Sequence, residues 1–146
     1  MSEIRGYRMT KGEEELLRVA GICAKIKAIT SEIERTRESA LSISSPAMGV
    51  KVSGSGSVYD LSSILIRLEK SLARLLEELA ICVEKRDKIT AQVLSITPEL
   101  LASILYWRYI KSYSLKAVAA KVSCSESTVR HQVRTAIKVY DKKYFG

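Results

Sequence analysis

The chain has 146 residues, with 24 Lys or Arg against 16 Asp or Glu and a formal net charge of +8. That length suits one domain or two small ones. One histidine and three cysteines without a CxxC pair exclude a His-pair metal site and a catalytic array needing two histidines; no apolar run approaches the ~20 residues that span a bilayer.

The first element in chain order is an amphipathic helix from residue 11 to about 43. Leu16, Val19, Cys23, Ile26 and Ile33 recur at spacings of three and four, with Thr30 interrupting. Residues near 39–57 are rich in Ser and Gly and contain Pro46, which reads as a loop. Gly54-Ser55-Gly56 within it lacks the following Lys and preceding strand of a phosphate-binding loop.

A second, more regular helix is expected from about Ser57 to Leu94. Leu61, Leu65, Leu68, Leu72, Leu75, Leu79, Cys82, Ile89, Val93 and Ile96 follow alternating steps of four and three. Such a narrow seam is buried only against another helix. At 1.5 Å per residue the helix is on the order of 55 Å long. The two long helices fold back most simply as an antiparallel hairpin, although the loop also permits pairing between chains. Arg86 breaks the seam: either its guanidinium snorkels to the helix edge or it pairs with an acid of the partner helix.

A shorter helix follows, with Thr97 as N-cap, Pro98 in the first helical position and Glu99 at the positive end of the dipole. Leu100, Leu101, Ile104, Leu105 and Tyr109 form its packed face. Tyr106, Trp107 and Tyr113 read as packing aromatics.

Two closely spaced helices end the chain. Ser114 is a suitable N-cap for the first, whose inward residues are Leu115, Val118, Ala119 and Val122. Ser123-Cys124-Ser125 makes the break, and Ser125 caps the second helix. There Val129, Val133, Ala136 and Ile137 face inward, leaving Glu126, Ser127, Arg130, His131 and Arg134 outward. This is a helix-turn-helix of the kind that reads a major groove. From Leu100 onward nine basic side chains face only Glu126 and Asp141, whereas the preceding part is nearly balanced. Positive charge gathered on one small unit is a footprint for phosphate backbone.

The expected DNA-contacting residues are Ser114, Lys116, Ser125, Glu126, Ser127, Thr128, Arg130, His131, Arg134 and Lys138. Arg130 and Arg134 can reach guanine O6 and N7 or phosphates. Ser114 and Lys116 clamp the backbone, and Lys111, Lys138, Lys142 and Lys143 add general attraction. Glu126 either accepts from a cytosine amine or favours its own helix N-terminus. Cys23, Cys82 and Cys124 read as buried small hydrophobes. An odd cysteine count without a signal peptide indicates reducing cytoplasm. No catalytic residue, metal site or cofactor is expected.

Trp107-Arg108-Tyr109, Ser114, Val118-Ala119, Ser125, Thr128-Val129, Arg130, Arg134 and Ala136 resemble the pattern of region 4 of bacterial sigma factors. The LuxR-type helix-turn-helix shares much of it. Ser112 and Ser123 replace the turn glycines of that pattern; at positive φ each costs roughly 1 kcal/mol. Over residues 45 to 144 the layout is similar to small phage and prophage regulators of the ArpU and RinA types. That resemblance implies a transcriptional regulator of phage late or packaging genes, with host RNA polymerase as a candidate partner.

The expected architecture is therefore all-α. A helical hairpin over 1–96 precedes a three-helix, sigma-region-4-like DNA-binding domain over 97–146, with oligomerisation through the coiled coil. Two alternatives stand beside DNA-binding regulation. One is a packaging protein like the small terminase subunits; the other is an interaction protein whose basic unit binds polymerase.

Overall fold

The computed structural model describes residues 8–44 and 57–146, of which 88% are helical, with no strand among them. Five α-helices occur among these residues: α1 (Lys11–Ser44), α2 (Ser57–Leu94), α3 (Glu99–Leu105), α4 (Leu115–Val122) and α5 (Glu126–Phe145). A π-helical turn, Tyr106–Ile110, continues α3. Residues 45–56 of the expected Ser/Gly-rich loop lie outside the described residues, whereas Ser39–Ser44 before them are helical. No described helix is long and apolar enough to cross a membrane.

By contact the chain forms two compact units, one holding residues up to Ala24 together with Glu84–Gly146, the other Lys25–Val83. The expected boundary at 96/97 follows the end of the apolar seam at Ile96 and the helix start at Thr97 and Pro98. Contact divides the chain differently because the start of α1 and the end of α2 bury their apolar residues with the C-terminal helices.

In the first unit Leu16, Val19, Ile89, Val93 and Ile96 share one core with Leu101, Ile104, Leu105, Val118, Val129, Ala136 and Tyr140. Thr10 starts α1, its hydroxyl accepting from the Glu13 N–H at 3.2 Å and its carbonyl from the Glu14 N–H at 3.0 Å. That cap and the acids Glu13 and Glu14 suit the positive helix end. At the other end of the unit, the Ser95 hydroxyl donates to Gln92 O at 2.7 Å where α2 stops.

Helix α3 departs from the expected start. It begins at Glu99, with Pro98 in the N-cap place and no side-chain cap, so Thr97 does not cap it. The Thr97–Pro98 peptide is cis. Its buried face is Leu101, Ala102, Ile104 and Leu105, while Leu100 points outward at 38% exposure. Among the cysteines only Cys82 is fully buried; Cys23 and Cys124 are half-buried. Cys124 lies between exposed Ser123 and Ser125 and packs half-buried against the core.

In the second unit Ile29, Ile33 and Cys82 are buried, as is Thr36. The Thr36 hydroxyl donates to Glu32 O at 2.8 Å, which satisfies it inside the helix. Thr30 is exposed because Ile29 takes the inward place, so the interruption in α1 is a one-residue shift of the buried stripe. The seam residues Leu61, Leu65, Leu68, Leu72, Leu75 and Leu79 are only half-buried. Lys25 and Glu78 form an exposed ion pair at 3.7 Å, a contact of small net worth.

Arg86, in the first unit, takes the snorkelling arrangement. Its guanidinium lies 3.0 Å from Asp87 of its own helix and stays about a third exposed.

Candidate nucleic-acid interface

Two serine caps and two left-handed residues shape the C-terminal helix pair. The Ser114 hydroxyl accepts from the Ala117 N–H at 3.2 Å and starts α4. Helix α4 ends at Ser123, which adopts φ 59° and ψ 43°. This αL residue reverses the chain within one position, a task glycine usually performs. Ser125 then accepts from the Thr128 N–H at 3.2 Å and starts α5. Ser112, in the turn before α4, also has positive φ, at 60°.

The inward face of α5 is sealed. Val129 and Ala136 are fully inaccessible, and Val133 and Ile137 are buried. Val118 and Ala119 of α4 are buried beneath them, the small Ala119 side chain allowing the close crossing. All ten expected contact residues, from Ser114 and Lys116 through Ser125, Glu126, Ser127 and Thr128 to Arg130, His131, Arg134 and Lys138, are solvent-exposed. Six of the ten are also engaged locally: Ser114, Ser125, Glu126, Ser127, Thr128 and Arg130. Thr128 Oγ1 accepts from the Ser125 hydroxyl at 2.7 Å. Glu126 accepts from Arg130 at 3.4 Å, an i,i+4 pair that steadies the first turns of α5.

No family profile, curated protein or solved structure matches this chain.

Helix α5 runs to Phe145, past the expected end near Tyr140, and its last turns bind the rest of the unit. The buried Tyr140 hydroxyl donates to Gln92 Oε1 at 3.0 Å. Burial pushes the Tyr140 phenol up to about 12, with Glu15 and Tyr144 adding to the effect. Lys143 Nζ donates to Ser95 O at 3.0 Å, and the Ser95 and Tyr144 hydroxyls are hydrogen-bonded. Asp141 accepts from the Gly12 N–H at 2.7 Å. Lys143 is thus committed to the fold in addition to contributing charge.

Sequence reasoning missed Arg108 as part of this edge. In the π-helical turn the Lys111 N–H bonds Tyr106 O, and the Tyr113 N–H bonds Trp107 O. The widened turn sends neighbouring side chains in different directions, a common use of π-bulges at functional sites. Trp107 stacks on Tyr113 with ring centroids 5.3 Å apart, and Lys121 Nζ sits 4.9 Å above the indole. The two half-buried rings make a packing edge that exposed Lys121 reinforces by a cation–π contact. Arg108 instead donates to Tyr113 O at 2.9 Å and lines a groove with Arg130 and Arg134. The Trp107-Arg108-Tyr109 motif marks Arg108 in the sequence, but nothing local to it specifies a place beside α5.

Proposed function

We propose that this chain is a sequence-specific DNA-binding transcriptional regulator, of the phage or prophage late-gene activator kind, that inserts α5 into the major groove. One observation carries the reading. Ser127, Arg130, His131, Arg134 and Lys138 are exposed together on a helix whose opposite face is sealed in the core. A helix held this way presents side chains without moving its backbone, which is what base readout requires. The Arg130 and Arg134 forks match guanine O6 and N7 or neighbouring phosphates. The capped start of α4, with Ser114 and Lys116, offers N–H groups and charge to the backbone.

In this reading α1 and α2 fold back as an antiparallel hairpin, and α3, α4 and α5 make a three-helix, sigma-region-4-like unit. Support comes from the Lys25–Glu78 pair and from a groove lined by Thr36, Ala40 and Leu41 with Leu68 and Leu72. The half-buried seam of α2 is the surface for a homodimer, which doubles the short site read by one α5. Host RNA polymerase, in a bacterial cytoplasm, is the second partner of the proposal.

The test is selection of random genomic fragments by the full chain at two salt concentrations, with and without the paired substitutions Arg130→Ala and Arg134→Ala. One enriched motif is expected, with log affinity falling by about 0.9 per neutralised phosphate for each log unit of salt. Loss of about 1–3 kcal/mol per bidentate arginine is expected in the variant. Binding without an enriched motif would remove sequence specificity from the proposal. No binding at low salt would remove DNA.

A further inference from the structure

Along one edge of α5 runs a groove of about 190 Å³, open to solvent, with Arg108, Arg130 and Arg134 among its lining residues. Tyr109 and Glu13 line it too. The three guanidiniums come from two separate elements, the π-helical turn and α5, and Glu13 comes from the first turn of α1. Glu13 and Arg134 also line the adjoining groove, of about 200 Å³, with Arg8 and Lys138. A guanidinium carries five N–H donors, so the Arg108 bond to Tyr113 O through Nη1 leaves the same fork able to serve the groove.

The charges meet at Tyr109. Burial raises its phenol above the ordinary range, the Glu13 carboxylate raises it further, and Arg108 and Arg134 pull it down. Three planar cations and a phenol around one opening are the chemistry of a tetrahedral oxyanion. The Glu13 carboxylate lines the same opening and opposes that occupant.

Glu13 is held there by its neighbour. The Gly12 N–H donates to Asp141 of α5 at 2.7 Å, and a Cβ built on Gly12 would come within 2.7 Å of the Asp141 Cα. Glycine is the residue that lets the first turn of α1 approach α5 so closely. The backbone of the adjacent Glu13 is thereby placed at the groove that its side chain lines.

We infer that this groove seats one phosphate of the DNA backbone, and that Glu13 sets the strength of that contact by opposing it. The inference rests on the DNA-binding reading and adds to it Arg108 as a phosphate ligand and α1 as a component of the binding edge. The carboxylate lowers affinity for any DNA, whatever its sequence, and so leaves more of the discrimination to base contacts.

Glu13→Gln keeps the shape of the side chain and removes its charge. Glu14→Gln makes the same charge change one residue along α1, at an exposed position that lines neither groove. Binding of a fixed duplex by the full chain is measured across a salt series for the wild type and both variants. Glu13→Gln is expected to tighten binding about three- to fivefold, the size of one partly screened ion interaction. Its salt dependence should steepen, while Glu14→Gln stays within about twofold of the wild type. Equal effects of the two variants would overturn the inference, because Glu13 would then act only through total charge. So would an unchanged or weakened Glu13→Gln in a wild type that binds DNA, and that outcome leaves the proposed function intact. Failure of every form to bind at low salt removes both.

Discussion

Ser112 and Ser123 hold left-handed backbone, φ 60° and 59°, with a Cβ that crowds the following carbonyl. Replacing either by glycine relieves that crowding at some cost in unfolded-chain entropy. Ser112→Gly and Ser123→Gly are each expected to stabilise the fold by about 1 kcal/mol. Urea midpoints should rise with unchanged slope; a fall in either would mean that the serine makes a compensating contact. Tyr140 carries a second residue-scale prediction. Its phenol is raised from 10.0 to about 12 in the folded chain, so the fold favours the neutral form. The associated stability is complete below pH 10, the unfolded value, and is lost as pH rises towards about 12. Thermal midpoints of the wild type should fall over that window. In Tyr140→Phe the fall should be smaller, after a loss of about 1 kcal/mol at neutral pH from the missing bond to Gln92.

Helix α5 divides its labour along its length. From Glu126 to Lys138 its outward face is exposed, and from Tyr140 to Tyr144 it bonds to Gln92, Ser95 and Gly12. A helix anchored at one end keeps the geometry of the other, because the backbone bonds of the helix transmit position along its axis. Gly12 tests the anchor by the sign of its effect. Helix propensity alone makes Gly12→Ala stabilising by about 1 kcal/mol. The 2.7 Å approach to the Asp141 backbone makes it destabilising instead, by about 1–3 kcal/mol as overpacking costs. Thermal unfolding of the variant decides between the two.

The whole molecule is uneven in both charge and burial. Basic residues gather in the C-terminal helices, while the seam leucines of α2 remain half-buried and Ile66 and Leu76 are 53% and 43% exposed. Half-buried leucines leave apolar area on α2, and a second copy is the proposed cover for it. Sedimentation of the full chain is expected to show a dimer. Leu76→Glu should shift it towards monomer with unchanged helicity, because the side chain is already exposed in the single chain. A monomeric wild type would leave one α5 to act alone or with polymerase.

Much of the local organisation was legible in the sequence because it depends on neighbours three or four residues apart. Apolar spacing located α1 and α2, and the serines at 114 and 125 announced the caps that start α4 and α5. The exposed set on α5 followed from helical periodicity once Val129 and Val133 were placed inward. The start of α3 was misjudged, since Thr97 looks like a cap by residue type while the backbone there places Pro98 at that position. The shift from Thr30 to Ile29 was missed because either could continue a three-four pattern.

The sequence by itself determined an all-α chain whose C-terminal helices are capped, amphipathic and basic, since capping, periodicity and charge are properties of short stretches. Only the tertiary structure decided that a π-helical turn swings Arg108 towards Arg130 and Arg134. It alone placed Glu13 among them, through the packing of Gly12 on Asp141. Those residues lie more than a hundred positions apart at the extremes. Their meeting depends on how whole helices pack, which no local pattern encodes.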